Sequence, residues 1–284
     1  MKTISVKAPA KVNLYLHVTG RRDDGYHLLD SLFVFTADGD VVSVQKSDTL
    51  SLEIIGPYAE SLSVGEENSV LKAARLLADV CAVPAKAAIT LEKNLPVASG
   101  IGGGSADAAA ALKALIRLWN LTISPACLHE TALKLGADVP SCLAAKPVQV
   151  SGIGEILTPA PELPALFLVL VNSNRPVFTP AVFKTRKPFF SKPAPFTEKM
   201  TDFDAFVRAL SDRGNDLGEA ACKIEPSVGE VLEALRSDPL CRLARMSGSG
   251  GTCFGLFPSA DEASLCCRNI RKKHPDWWVL NTHI

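Results

Sequence analysis

Apolar and polar residues alternate from the start of the chain. Val12, Leu14, Leu16 and Val18 fall between Lys11, Asn13, Tyr15 and His17. This period of two predicts a strand with an apolar face and a face presenting Lys11 and Asn13. Asp24-Gly25 predicts a turn into a second strand from Tyr26 to about Phe35, and Asp38-Gly-Asp40 predicts another turn. Strands are expected at Val41–Gln45, Leu50–Ile55 and Ala87–Glu92. Val70, Leu71, Ala74, Leu77 and Ala78 share one helical stripe, which predicts a helix from Asn68 to about Val80. Further helices are expected after Gly104 to about Trp119 and from Ser124 to Leu135. Strands return over 147–172, interrupted by a Pro-rich stretch from Thr158 to Pro164 that marks a domain boundary. Lys184–Thr197 reads as a surface loop. Helices near 201–211, 216–222 and 227–236, strands at Leu243–Met246 and Thr252–Phe257, a helix from Ala260 to about Lys272 and a strand at Trp277–Asn281 complete an α+β pattern. The expected domains are 1–158 and 159–284.

The most informative segment is Leu95-Pro-Val-Ala-Ser-Gly-Ile-Gly-Gly-Gly-Ser-Ala-Asp-Ala108. Glycine permits positive φ and close approach to a ligand. The Ala-rich helix that follows begins with unpaired N–H groups and a positive dipole end, a site for phosphate. A P-loop is excluded because no Lys follows the glycines. A dinucleotide fingerprint is excluded because Ser105 replaces its last glycine and Leu118–Thr122 offers no acid. A flexible linker before a core helix is the bland alternative.

Composition narrows the class. The chain has 284 residues, 47% hydrophobic, enough for two domains with an ordinary core. Thirty basic and thirty acidic side chains give zero net charge, which lends no support to nucleic-acid or membrane-surface binding. No apolar run approaches a membrane span of roughly 20 residues, and the N-terminal segment lacks a signal peptide's apolar stretch. A cytoplasmic location is expected. Eight cysteines without a Cys-x-x-Cys spacing read as reduced core thiols.

Phosphoryl transfer needs a phosphate cradle, a cation and a group that takes the acceptor's proton. Asp138, in Leu135-Gly-Ala-Asp-Val-Pro140, is the candidate base, with helix N-capping as its competing role. Lys11 is the candidate cation, with simple solvation as the alternative. Ser105 reads as a helix cap or as a contact to phosphate or metal.

The string Pro96-x-x-x-Gly100-Ile-Gly-Gly-Gly-Ser105 resembles the ATP loop of the GHMP kinases, which include galactokinase, homoserine kinase and mevalonate kinase. Ala8-Pro-Ala-Lys-Val-Asn13 through Asp24-Gly-Tyr-His27, Leu135–Pro140, Gly152–Leu157, Thr179–Phe183 and Ser247–Phe254 are similar, in order, to motifs of the branch of that family whose substrate is a small alcohol carrying a cytidine diphosphate group. The resemblance implies an α+β, two-domain fold, with an N-terminal ribosomal-S5-like domain and a C-terminal ferredoxin-like domain. It implies ATP as co-substrate with Mg²⁺, and a role in isoprenoid precursor synthesis. Lys11 and Asp138 would be catalytic. Pro96, Val97, Ala98, Ser99, Gly100, Ile101, Gly102, Gly103, Gly104, Ser105 and Ala106 would wrap the ATP phosphates, with Asn68 and Lys93 near the adenosine. Asn13, Tyr26, His27 and Phe183 would meet the substrate, the last three at its cytosine. Core packing is the alternative for Tyr26 and Phe183, and a structural histidine for His27. Asp107 departs from the pattern and is expected on the metal or solvent side. No metal ligand of the protein is implied. A small-molecule partner is implied, with a monomer or weak homodimer expected. A non-catalytic nucleotide-binding protein and a nicotinamide oxidoreductase are the rival classes. The paired presence of Lys11 and Asp138 weighs against the first, and the missing last glycine and acid against the second.

Overall fold

The structure is a computed structural model that describes residues 3–284. Contacts divide the chain into two compact units that interleave in sequence: Met1–Lys11, Asp38–Val97 and Gly102–Lys146 form one, and Val12–Ala37, Ala98–Ile101 and Pro147–Ile284 the other. The division thus differs from a single cut at residue 158, because 12–37 join the C-terminal half.

In the first unit, β3 (Leu50–Ile55) pairs parallel with β4 (Ala87–Glu92), and β4 pairs antiparallel with the Val41–Gln45 end of β2 (His27–Gln45). Helices α1 (Ser69–Val80), α2 (Gly103–Leu118), α3 (Pro125–Leu135) and α4 (Val139–Ala144) complete it. Asn68 caps α1 by accepting from the Val70 N–H, and Ser124 caps α3 by accepting from Cys127. Helix α2 is buried almost all round from Ala106 to Leu115. Its alanines lack bulk, so α1 and α4 both pack against it.

In the second unit, the first half of β2 pairs with β5 (Val148–Gly152), and β5 with β6 (Ile156–Pro159). A second sheet orders its strands β10 (Trp278–His283), β7 (Phe167–Asn172), β9 (Thr252–Phe257), β8 (Leu243–Met246), all antiparallel. Numbered by their own sequence order these strands run 4-1-3-2, the ferredoxin-like arrangement expected for this half. Helices α5 (Thr179–Thr185), α6 (Phe203–Ser211), α7 (Gly218–Ile224), α8 (Ser227–Arg236) and α9 (Ala260–Lys273) accompany it. The core joins Val169 and Val171 of β7 to Val231 and Leu235 of α8 and Cys266 and Ile270 of α9. All eight cysteines are free thiols.

Three expectations change. Strand β1 (Ile4–Arg21) has no solvent face between Lys11 and Val18: Lys11, Asn13, Tyr15 and His17 are all buried, like the apolar residues between them. Alternation reported two different environments, both buried. The expected turn at Asp38-Gly-Asp40 is absent, because β2 runs unbroken through it. Gly39 serves a close approach instead: a Cβ there would lie 2.1 Å from the Ala8 carbonyl oxygen. Helix α5 was not anticipated, because its seven residues are too few to show a period.

Gly39→Ala is expected to destabilise the protein by at least about 2 kcal/mol, within the range for forced overpacking. Urea unfolding of the two proteins measures it, and equal midpoints would contradict the close approach.

Candidate active site

The glycine loop reaches α2 through two left-handed glycines. Gly100 has φ +75° and Gly102 has φ +66°. Such values suit a residue without Cβ. At Gly102 the space is also taken, since a Cβ would lie 3.1 Å from Lys11 Cε. Gly102 is the N-cap of α2, and no side chain caps the helix. Ser105 therefore does not cap, as was expected of it; the helix starts at Gly103 and Ser105 lies in its first turn. The backbone N–H groups of that turn, with the positive dipole end, make an anion site.

Lys11 and Asp138 meet at this helix start. Lys11 Nζ lies 3.1 Å from Asp138 Oδ2, with the lysine side chain 6% exposed and the aspartate 31%. Asp138 occupies the N-cap position of α4, yet its side chain makes no capping hydrogen bond. It turns to Lys11 instead. Burial, reinforced by the Asp138 charge, pushes the nearby Cys142 thiol up to about 12, so it stays protonated and inert.

A second buried lysine lies under the same loop. Lys93 Nζ donates to Asp40 Oδ2 at 2.6 Å and to Asp107 Oδ2 at 2.7 Å. Asp107 is thus not on a solvent side; it is 2% exposed. Burial pushes its carboxyl up to about 7, against the opposing pull of Lys93. Lys93, assigned to the nucleotide from the sequence, has its ammonium held by these two carboxylates. Asn68 spends its side chain on the start of α1, with Nδ2 donating to the Ser63 carbonyl. The α1 start adjoins that of α2, since Ser69 Oγ is 3.8 Å from a Cβ built on Gly104.

The middle of the loop, Ala98–Ile101, belongs to the second unit. The Thr252 N–H donates to the Ser99 carbonyl at 2.9 Å, and Ser247 Oγ donates to the Gly100 carbonyl at 3.1 Å. The Ser247–Gly251 motif, legible as a pattern but without a role, is the backing of these residues. Asn13 donates through Nδ2 to Ser31 Oγ at 2.9 Å, and its N–H donates to Ser247 Oγ. Pro96 and Val97 lead into the loop from the first unit.

The three residues assigned to cytosine come together. His27 and Phe183 stack with centroids 5.0 Å apart, and Tyr26 is exposed beside them. They line a cleft of about 990 Å³ with Arg21, Arg186 and Phe190. The two arginines were not anticipated, because single cations at the end of a strand and at the end of a short helix carry no pattern. Burial, then Arg186 and Arg21, hold His27 below its usual range. Its imidazole is neutral at pH 7, with one donor and one acceptor nitrogen.

Residues 68–146 match the GHMP kinases N terminal domain, and residues 197–276 match the GHMP kinases C terminal domain. The chain is 53% identical to the 4-diphosphocytidyl-2-C-methyl-D-erythritol kinase of Paramagnetospirillum magneticum, over 98% of each protein. It is 52% identical to the kinase of the same name from Ruegeria pomeroyi, over 99% of each. A crystal structure of 4-(cytidine 5'-diphospho)-2C-methyl-D-erythritol kinase superposes with a TM-score of 0.81 at 34% identity, covering 99% of both chains. A homoserine kinase from Cytophaga hutchinsonii shares the fold with a TM-score of 0.68 at 18% identity, over 100% of this chain and 96% of that one. With both family domains present and relatives matching from end to end, the chain belongs to the GHMP kinases and, within them, to the 4-diphosphocytidyl-2-C-methyl-D-erythritol kinases.

Proposed function

We infer that this chain is an ATP-dependent kinase that phosphorylates the 2-hydroxyl of 4-diphosphocytidyl-2-C-methyl-D-erythritol, in the non-mevalonate route to isoprenoid precursors. The observation that carries the mechanism is the 3.1 Å pairing of Lys11 with Asp138 beside the uncapped start of α2. The Asp138 carboxylate accepts the proton of the substrate hydroxyl. The hydroxyl oxygen then forms a bond to the γ-phosphorus as the bond from γ-phosphorus to the β–γ bridging oxygen breaks, and ADP leaves with that electron pair. Lys11 offsets negative charge on the acceptor and the phosphoryl oxygens. Residues 96–106 hold the phosphates through backbone N–H groups, with Asn68 and Lys93 toward the adenosine.

Mg²⁺ fits this donor set as a companion of the nucleotide. Among the described residues no three acidic, His or Cys side chains converge on a metal position. Mg²⁺ is commonly held by one or two protein oxygens plus substrate phosphates, and the Ser105 hydroxyl, in the first turn of α2, would be its protein ligand. When bound, it would screen the charge of the β- and γ-phosphates.

The His27–Phe183 stack with Tyr26 supports binding of a planar base, and the neutral imidazole can both donate to and accept from a cytosine edge. Asn13 would hold the substrate beside Lys11. No helix among the described residues is long and apolar enough to cross a membrane. Zero net charge gives no electrostatic drive toward nucleic acid or a membrane surface, and our reading is of a cytoplasmic enzyme, a monomer or weak homodimer, that binds neither.

Transfer of label from γ-³²P-ATP to the cytidyl substrate, inhibited by CDP, is the expected result; transfer to mevalonate or homoserine instead would overturn the substrate assignment. Asp138→Asn is expected to lower kcat by at least about a hundredfold; near-normal turnover would reject the base. NMR titration of His27 is expected to show a higher pKa in Arg186→Ala than in the wild type, since a repelling charge and some burial are both removed. An unchanged value would contradict the cleft's electrostatics.

A further inference from the structure

The glycine loop runs from Leu95 to the first turn of α2, and three buried charged residues hold its two ends. Asp40 Oδ1 accepts the N–H of Asn94 at 2.6 Å and that of Leu95 at 2.8 Å, where the chain enters the loop. Asp40 Oδ2 accepts from Lys93 Nζ at 2.6 Å. The same ammonium donates at 2.7 Å to Asp107 Oδ2, where the chain leaves the loop. Side-chain exposure is 3% for Lys93, 0% for Asp40 and 2% for Asp107. The ammonium lies directly beneath the first residue of α2, since a Cβ at Gly103 would stand 3.0 Å from Nζ.

A lone buried lysine under a phosphate loop would serve as a phosphate ligand. This one is engaged at hydrogen-bond distance by two carboxylates, and its short span ties β2, the exit of β4 and α2 together. Burying three charges costs free energy that apolar residues would not, so the arrangement calls for a gain in placement. We propose that Asp40, Lys93 and Asp107 form a clamp that fixes the span of the glycine loop, so that the Lys93 side chain acts on ATP by positioning the loop and not by touching the phosphates. Asp107 is then a positioning residue, and its Oδ1, which has no hydrogen-bond partner, reflects a side chain oriented by the lysine alone.

The proposal rests on the reading that residues 96–106 cradle ATP, and binding measurements separate the two. In Asp107→Ala the loop loses its tie at the helix end. ATP affinity by calorimetry is expected to fall, and KM for ATP to rise, by about tenfold or more, as for a cradle displaced by a fraction of an ångström. KM for the cytidyl substrate should stay within about twofold of wild type, inside the scatter of near-neutral surface changes. Hydrogen exchange in the nucleotide-free protein should quicken at the amides of 95–106 and not elsewhere. Asp107→Asn keeps an acceptor for Lys93 and leaves the Lys93–Asp40 pair balanced, so it should recover most of the loss. Should Asp107→Ala not fold, Asp107→Ser, too short to reach the ammonium, carries the same comparison.

If Lys93 were a phosphate ligand restrained by Asp107, removing the carboxylate would leave ATP binding unchanged or tighter, and that result overturns the clamp. Equal losses for both substrates, with exchange quickened throughout the unit, also overturn it in favour of general destabilisation. A wild-type protein that binds no ATP removes the cradle reading and the clamp with it. ATP binding in the wild type matched by Asp107→Ala removes the clamp alone.

Discussion

A lysine buried in a strand needs a carboxylate, and the pairing of Lys11 with Asp138 is the constraint around which the candidate site is arranged. An ammonium taken out of water is costly alone, and removing the partner of a buried pair typically costs about 3–5 kcal/mol. Asp138 is supplied by the junction between α3 and α4, where Gly136 permits a φ of +156°. Pro140 stands in the first turn of α4, where its missing N–H costs nothing. Lys11 in turn occupies the space under Gly102, so any side chain at that position would have to displace it. The glycine, the lysine and the aspartate therefore specify one another. The Ala-rich interior of α2 lets that helix sit close to α1 and α4, which brings its positive end to the same place.

Exposure separates the two buried lysines. Lys11 is paired with a carboxylate that is 31% exposed, so a molecule from solution can reach its oxygens. Lys93 is paired with carboxylates that are 0% and 2% exposed, so nothing from solution reaches them. The same residue types at the same kind of distance thus divide into an accessible pair and a sealed one. The division follows from depth alone.

Much of this was legible in the sequence, and the rest was hidden for identifiable reasons. The glycine run before an Ala-rich helix was legible as a turn into a helix start, and the structure has that turn, with positive φ at Gly100 and Gly102. Asp138 was legible as a turn aspartate, but its choice of Lys11 over the α4 backbone is a tertiary outcome, and N-capping was the better local reading. Ser105 was misread as a cap because local rules locate a helix start from side-chain oxygens; Gly102 starts this one by backbone shape alone. Asp38-Gly-Asp40 was misread as a turn because the same triplet also suits a strand whose glycine meets another backbone and whose aspartate binds inward. Asp107 misled for a related reason. A carboxylate in a first turn ordinarily faces the dipole or water, and only the three-dimensional position of Lys93, fourteen residues earlier, turns it inward.

The C-terminal glycines show how far the loop's shape depends on distant sequence. Gly248, Gly250 and Gly251 all have positive φ, and Cβ atoms there would meet Gly100, Met246 and Ser99 within 3.2 Å. At Gly100 itself a Cβ would lie 2.6 Å from the Gly250 carbonyl oxygen. Neither segment of this contact leaves room for side chains, so each of the two glycine-rich segments, about 150 residues apart, requires the glycines of the other. The bonds from Thr252 and Ser247 to the carbonyls of Ser99 and Gly100 then turn those oxygens toward the protein. A peptide whose carbonyl is held by the protein presents its N–H on the opposite side, the orientation that an anion requires. The segment from Ser247 to Thr252 thus shapes the loop through backbone geometry, without a charged group of its own.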